Sequence, residues 1–173
     1  RIPDMARVTK FGIDPAQGLN APVAWSTGEA TATSTTMGTD TTPVVTETYV
    51  ARVFIPLNTT LTGLSVLNGS AVAGNITLAL ADSNGSIVAN TASTAASGTA
   101  AYQQVAFTAP LTVKGPGEYF ILLQSNNTSY RFRSHTLGNF KTGKLTAQTY
   151  GTLPSFTPPT GFTTALGPIA STY

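Results

Sequence analysis

From Thr46 to the C-terminus the chain is a succession of short alternating runs divided by turn residues, and this pattern leaves few architectures open. The clearest run is "NITLALADSNGSIVAN", Asn75 to Asn90. Ile76, Leu78 and Leu80 would point to one side of a strand, with Thr77, Ala79 and Ala81 on the other, because side chains alternate with period two. "DSNGS" supplies the turn, since Asn-Gly accommodates the positive φ of a tight hairpin. "TETYVARVFIP" (from Thr46), "LTGLSVLNG" (from Leu61, ending on another Asn-Gly turn signal), "AYQQVAFTAP" (from Ala101), "LTVKGPGEYFILLQ" (from Leu111), "YRFRSH" (from Tyr130) and "KTGKLTAQTYG" (from Lys141) read the same way, and "GFTTALGPIASTY" closes the chain. Strands thus recur about every 8 to 14 residues, and no segment past residue 45 carries a helical stripe. This is the pattern of an all-β antiparallel sandwich or barrel, and about eight such strands fit a jelly roll. The run "ANTASTAASGTAA", Ala89 to Ala101, reads as a loop or ragged edge, with Thr, Ser and Gly disfavouring a helix.

Residues 1–45 differ. "KFGIDPAQGLNAPVAW" and "ATATSTTMGTDTTP" lack either periodicity. They read as an extended N-terminal arm whose isolated apolar residues, Phe11, Ile13, Leu19 and Trp25, anchor it on a partner or on the body. Met5 begins "MARVTKFG" and reads as the natural start, with Arg1 to Asp4 a cloning remnant; proteolytic maturation is the alternative. Residues 46–173 are then the sandwich.

Only 9% of the residues are charged, against about 25% in an ordinary soluble domain, so hydroxyls, amides and methyls must cover the surface. Such a surface suits packing in an assembly or hydrogen bonding to sugars. The net charge of +2 is too small and too scattered for nucleic-acid binding. There is no cysteine, which removes disulfides and thiolate chemistry. No stretch approaches the roughly 18 apolar residues of a membrane helix.

The catalytic inventory is thin, and the expectation is a protein that is not an enzyme. His135 is the single histidine, beside Arg131, Arg133 and Ser134, and reads as an exposed strand-end residue. The carboxylates are Asp4, Asp14, Glu29, Asp40, Glu47, Asp82 and Glu118. Only Glu47 and Glu118 begin strands of the body, so a glycosidase pair would have to use them. Asp82 belongs to a turn. No metal or other cofactor is expected. The Asn-x-Ser/Thr triplets at Asn58, Asn68, Asn75, Asn84, Asn126 and Asn127 are what chance supplies in a chain so rich in these residues.

One stretch concentrates the scarce basic residues. "EYFILLQSNNTSYRFRSH", Glu118 to His135, reads as a hairpin. Its first strand is apolar on both faces, and its second puts Arg131, Arg133 and His135 on one face. That face is either a solvated sheet edge or, with Tyr130, Asn126 and Asn127, a contact surface for protein or sugar.

The runs "TLTGLSVLNGS", "GNITLALADSNGSIVANT" and "YQQVAFTAPLTVKGPGEYFILLQSNNTSYRFRS", with the ending "PPTGFTTALGPIASTY", resemble β-sandwich domains of tailed-bacteriophage and prophage structural proteins. The resemblance spans roughly residues 46–173 and consists of structural signatures, so it carries no binding residues. It implies a virion component on the capsid surface or tail. Foremost is a capsid decoration or head-fibre protein that docks on the major capsid protein and associates with itself as a trimer or dimer. The alternatives are a glycan-binding receptor-recognition module of a tail fibre and a bacterial surface adhesion domain.

Overall fold

A computed structural model of the chain describes residues 38–135, 142–158, 163–164 and 166–173. The arm residues Phe11, Ile13, Leu19 and Trp25 lie outside the described residues. Among those described the fold is all-β, with thirteen strands: β1 (Thr39–Thr41), β2 (Thr48–Ile55), β3 (Thr59–Leu67), β4 (Asn75–Ala81), β5 (Ile87–Asn90), β6 (Thr94–Ala95), β7 (Tyr102–Val113), β8 (Gly117–Ser125), β9 (Phe132–His135), β10 (Thr142–Leu145), β11 (Thr163–Thr164), β12 (Gly167–Pro168) and β13 (Ala170–Thr172). All pairings are antiparallel.

One layer is a seven-stranded sheet in the order β11-β10-β2-β8-β4-β5, with β6 also on β4. The second layer holds two three-stranded sheets, β1-β9-β12 and β13-β3-β7. The last strands join them. Between β12 and β13, the Ile169 N–H donates to Arg133 O and its carbonyl accepts from Leu67 N–H, both at 2.9 Å. A sandwich results, with the core between the layers.

The alternation in the sequence explains the large sheet. Tyr49, Val53 and Ile55 of β2, Ile76, Leu78 and Leu80 of β4, and Ile121 and Leu123 of β8 all enter the inter-layer core. β3 does not alternate strictly, and the reason is an irregularity. The β3–β7 register shifts between Leu61 and Gly63, so Leu61 and then Leu64 and Val66 all face inward. β8 is buried on both faces: Phe120 and Leu122 form a second apolar cluster with Val50, Ala79, Ala81, Leu145 and Phe156. This outer cluster is roofed by the irregular segment 146–158, not by a sheet.

Two turn expectations divide. "DSNGS" closes β4 onto β5: Gly85 N donates to Asp82 O, Asp82 Oδ1 accepts from Asn84 N and Ser86 N, each at 2.9 Å, and Gly85 alone takes the positive φ, +79°. The Asn-Gly at 68–69 closes no hairpin, because β3 pairs with β7 and β13 and not with β4. Asn68 is instead a buried polar residue between the layers. Likewise β8 and β9 are not a hairpin; residues 126–131 carry the chain from the large sheet to the opposite layer.

Candidate functional site

β9 resolves the basic stretch. Phe132 and Ser134 are buried, and Arg131, Arg133 and His135 are half-buried on the other side, as period two requires. Phe132 lies 4.8 Å from the Tyr49 ring, and Ser134 Oγ is 2.5 Å from Thr41 Oγ1. This holds β1, from the stretch read as arm, against β9 as an edge strand.

The basic face is turned on a carboxylate. Asp40 of β1 pairs with Arg133 in register, and its Oδ1 lies 4.0 Å from Arg133 Nε. That Nε is buried with no hydrogen-bond partner, so the pair is electrostatic and not a close fork. Asp40 is held instead by Ser70, which donates its N–H at 2.9 Å and its hydroxyl. Burial pushes the Asp40 carboxyl up, but the Ser70 hydrogen bonds and the charges of Arg133 and Arg131 outweigh it and hold the carboxyl below its usual range. Two glycines admit this packing. A Cβ on Gly69 would collide with Asp40 Oδ1 and stand 2.7 Å from Arg131 Cβ. Gly38, with φ +69°, abuts Ser134 O at the point where the N-terminal segment joins β1.

Three residues read as surface contacts have internal work. Tyr130 is fully buried, and its hydroxyl donates to Asn68 Oδ1 at 2.6 Å, so it offers nothing at the surface. Burial raises its hydroxyl well above the usual tyrosine range. Asn126 Oδ1 accepts from Asn75 N–H and Asn127 Oδ1 from Ser129 N–H, both at 2.7 Å, and together they shape the crossover into β9. His135 is half-buried rather than exposed, and burial lowers its pKa.

The carboxylates do not converge. Glu47 accepts from Lys144 Nζ and from Tyr49 OH, both at 2.7 Å, on the inner side of β2. Glu118, on β8 opposite Phe54, pairs with Arg52 at 2.8 Å on the outer side, toward the other end of β2. With about 3.3 Å per residue along β2, that separation is far beyond a glycosidase pair. Among the described residues no group of three or more His, Asp or Glu side chains is placed to hold a metal ion.

Sequence reasoning missed two polar hubs and one exposed ring. Asn68 donates to Ser97 O at 2.6 Å and Gln103 Oε1 at 3.1 Å; Gln103 in turn accepts from Ser97 N–H and donates to Ala95 O. The low-complexity run 89–101 is thereby ordered from inside. Gln124, 1% exposed, donates to Thr48 Oγ1 at 2.8 Å and Thr152 O at 3.0 Å and accepts from Gly151 N–H at 3.0 Å, pinning the outer roof to the sheet. Phe54 is 55% exposed on the outer face, beside the Arg52–Glu118 pair. Alternation in "VARVFIP" places Phe54 opposite Val53 and Ile55, but does not say whether the outer face is covered there.

Residues 54–166, well over half of the chain, match the family described as Domain of unknown function (DUF4082), and the chain belongs to that family. The matched span includes Arg131, Arg133, Gln124 and the roof, and begins after Asp40 and β1. No curated protein matches the chain, and no solved structure does.

Proposed function

We propose that the chain is a non-catalytic virion structural protein of a tailed phage. It decorates a capsid, docking on the major capsid protein through its N-terminal segment and displaying the sandwich outward. The observation that supports this most is the anchorage of that segment's root. β1 is paired into the sandwich and held by Asp40–Ser70, Arg133 and Thr41–Ser134, so residues preceding Gly38 start from a fixed point on the body. A segment rooted in this way can transmit a docking contact to the sandwich. The charge-poor surface fits close protein packing in a lattice, and the tailed-phage resemblance supplies the setting.

The test compares full-length protein with a form lacking residues 5–37, which keeps β1. Light-scattering mass gives the assembly state, and co-sedimentation with empty capsids of the encoding phage gives docking. The reading expects stoichiometric capsid binding by the full chain and loss of it in the truncation. Equal binding by both forms, or none by the full chain, would sink it.

Phe54 favours a second reading, a glycan-recognition module. An exposed aromatic ring flanked by a guanidinium and a carboxylate suits a sugar, whose C–H face stacks while its hydroxyls bond the charged pair. Under this reading Phe54→Ala weakens retention on host polysaccharide and deletion of residues 5–37 does not.

A further inference from the structure

The chain contains two Asn-Gly pairs in opposite surroundings. Asn84 sits at the tip of the β4–β5 turn, exposed, and among the described residues no hydrogen bond holds its side-chain amide. Gly85 follows it with φ +79° and no Cβ; its N–H donates to Asp82 O at 2.9 Å and the residue is packed against the Phe156 carbonyl, so its nitrogen is freed when the turn opens. Asn68 is fully buried, its amide nitrogen donating to Ser97 O and Gln103 Oε1 and its oxygen accepting from Tyr130.

We propose that Asn84 is a site of spontaneous deamidation, and that the fold protects Asn68 from the same reaction. The Gly85 nitrogen loses its proton to solvent base and attacks Asn84 Cγ. A C–N bond closes a five-membered succinimide and the Cγ–Nδ2 bond breaks. The leaving group takes up a proton from solvent and departs as ammonia. Water then opens either imide carbonyl, giving aspartate or isoaspartate, with no oxidant or reductant. The exposed loop tip can reach the required geometry by local opening, whereas Asn68 must wait for the core to open. The backbone N–H of the following glycine is bonded at both sites, so the difference lies in the side chain: the Asn68 carboxamide is buried and held by Ser97, Gln103 and Tyr130, and must break those bonds before it can turn to the Gly69 nitrogen.

The consequence reaches beyond the turn. Gly85 O accepts the Phe156 N–H at 3.1 Å, which ties the roof to this hairpin. Either product adds a negative charge two residues from Asp82, lowering the net charge of +2 by one. Isoaspartate also lengthens the backbone of a turn whose hydrogen bonds depend on its length. The turn then loosens and takes with it the nearest anchor of Phe156.

The test is to incubate the folded full-length chain at mildly alkaline pH beside a denatured sample, and follow both Asn-Gly peptides by mass spectrometry that separates aspartate from isoaspartate. The expected result is conversion of Asn84 in the folded protein on the order of ten-fold or more faster than Asn68, with the two rates converging once the chain is unfolded. Persistence of the Asn84 amide in the folded chain, while the denatured chain converts it, would overturn the proposal. So would equal rates at the two sites in the folded chain.

Discussion

Both faces of the seven-stranded sheet carry a buried apolar cluster, but the two clusters are kept dry by different means. On the inner face Leu78, Leu80, Ile121 and Leu123 meet Leu61, Leu64, Val66, Val105 and Phe107 of the opposite layer, so burial is apolar on both sides of the contact. On the outer face Val50, Ala79, Ala81, Phe120 and Leu122 are small or few, and beside Leu145 of β10 their cover is a segment without regular structure that contributes Leu153 and Phe156. Its backbone cannot complete a ladder, so it is held by side chains, Gln124 to Thr152 and Gly151 and Tyr150 to Thr77 and Ser93, and by a single backbone bond from Phe156 N–H to Gly85 O. Ala147, near the roof's start, sits at φ +57°, a conformation alanine rarely adopts. The lesson is that hydrophobic area secures one face and a few polar contacts decide whether the other stays closed.

The largest effect therefore belongs to the inner face. Leu78→Ala is expected to cost about 2–5 kcal/mol through lost burial and a residual cavity. The loss should be global, seen in urea denaturation as a lower midpoint by every probe. A mutant that unfolds only around residues 146–158 would break the assignment of Leu78 to the common core.

Gln124→Ala should cost less, about 1–3 kcal/mol, because it strands the Thr152 carbonyl and the Gly151 N–H. Its signature should be local: faster proteolysis within 146–158 while the inner core persists. If Gln124→Ala lowered the midpoint as far as Leu78→Ala with no gain in local cleavage, the roof would be part of one cooperative unit and the contrast between the faces would fail.

The inner face was legible in the sequence and the outer one was not, for a physical reason. Ile76, Leu78 and Leu80 announce their common direction because period two is a local property of the backbone. Phe120 and Leu122 announced that β8 is buried twice, but nothing local said by what. Gln124 is an ordinary polar residue until Thr48, Thr149 and Thr152 are brought beside it, and Asn68 reads as a turn residue until Ser97, Gln103 and Tyr130 enclose it. Tyr130 failed as a surface candidate on the same ground, since alternation put it opposite Arg131 and only the second layer made that side the interior. The period-two grouping of Arg131, Arg133 and His135 was correct. Its neutralising partner Asp40 was hidden in a stretch with no strand signal, because three residues paired at an edge leave almost no pattern.

Tyr150 tests the roof more gently. Its hydroxyl lies 3.1 Å from Thr77 Oγ1 and 2.7 Å from Ser93 Oγ. Tyr150→Phe keeps the ring and removes both bonds, for an expected cost of about 0.5–1.5 kcal/mol, since Ser93 is exposed enough to turn to water. The readout is the rate of cleavage in 146–158, expected to lie between wild type and Gln124→Ala. A rate at or above that of Gln124→Ala would make Tyr150 the principal fastener.

The smallest effect is expected at Asp40, at the root of the N-terminal segment. Its folded-state pKa lies below the ordinary value of 3.8, so the unfolded chain binds the proton more tightly. The carboxylate's contribution is therefore fully present above that ordinary value and is lost as pH falls through the lower folded one. Asp40→Asn keeps the shape and a hydrogen-bond acceptor for Ser70 but removes the charge that faces Arg131 and Arg133. At neutral pH it should fray β1 from β9, read as faster amide exchange at Thr39 and Thr41 with the midpoint of the sandwich nearly unchanged, because β1 is an edge strand of three residues. Acidification should produce the same fraying in wild type and little further change in the variant. If the variant frayed with acid as steeply as wild type, the proton taken up would sit on another group, and the root of the arm would be held by Thr41 and Ser134 rather than by charge.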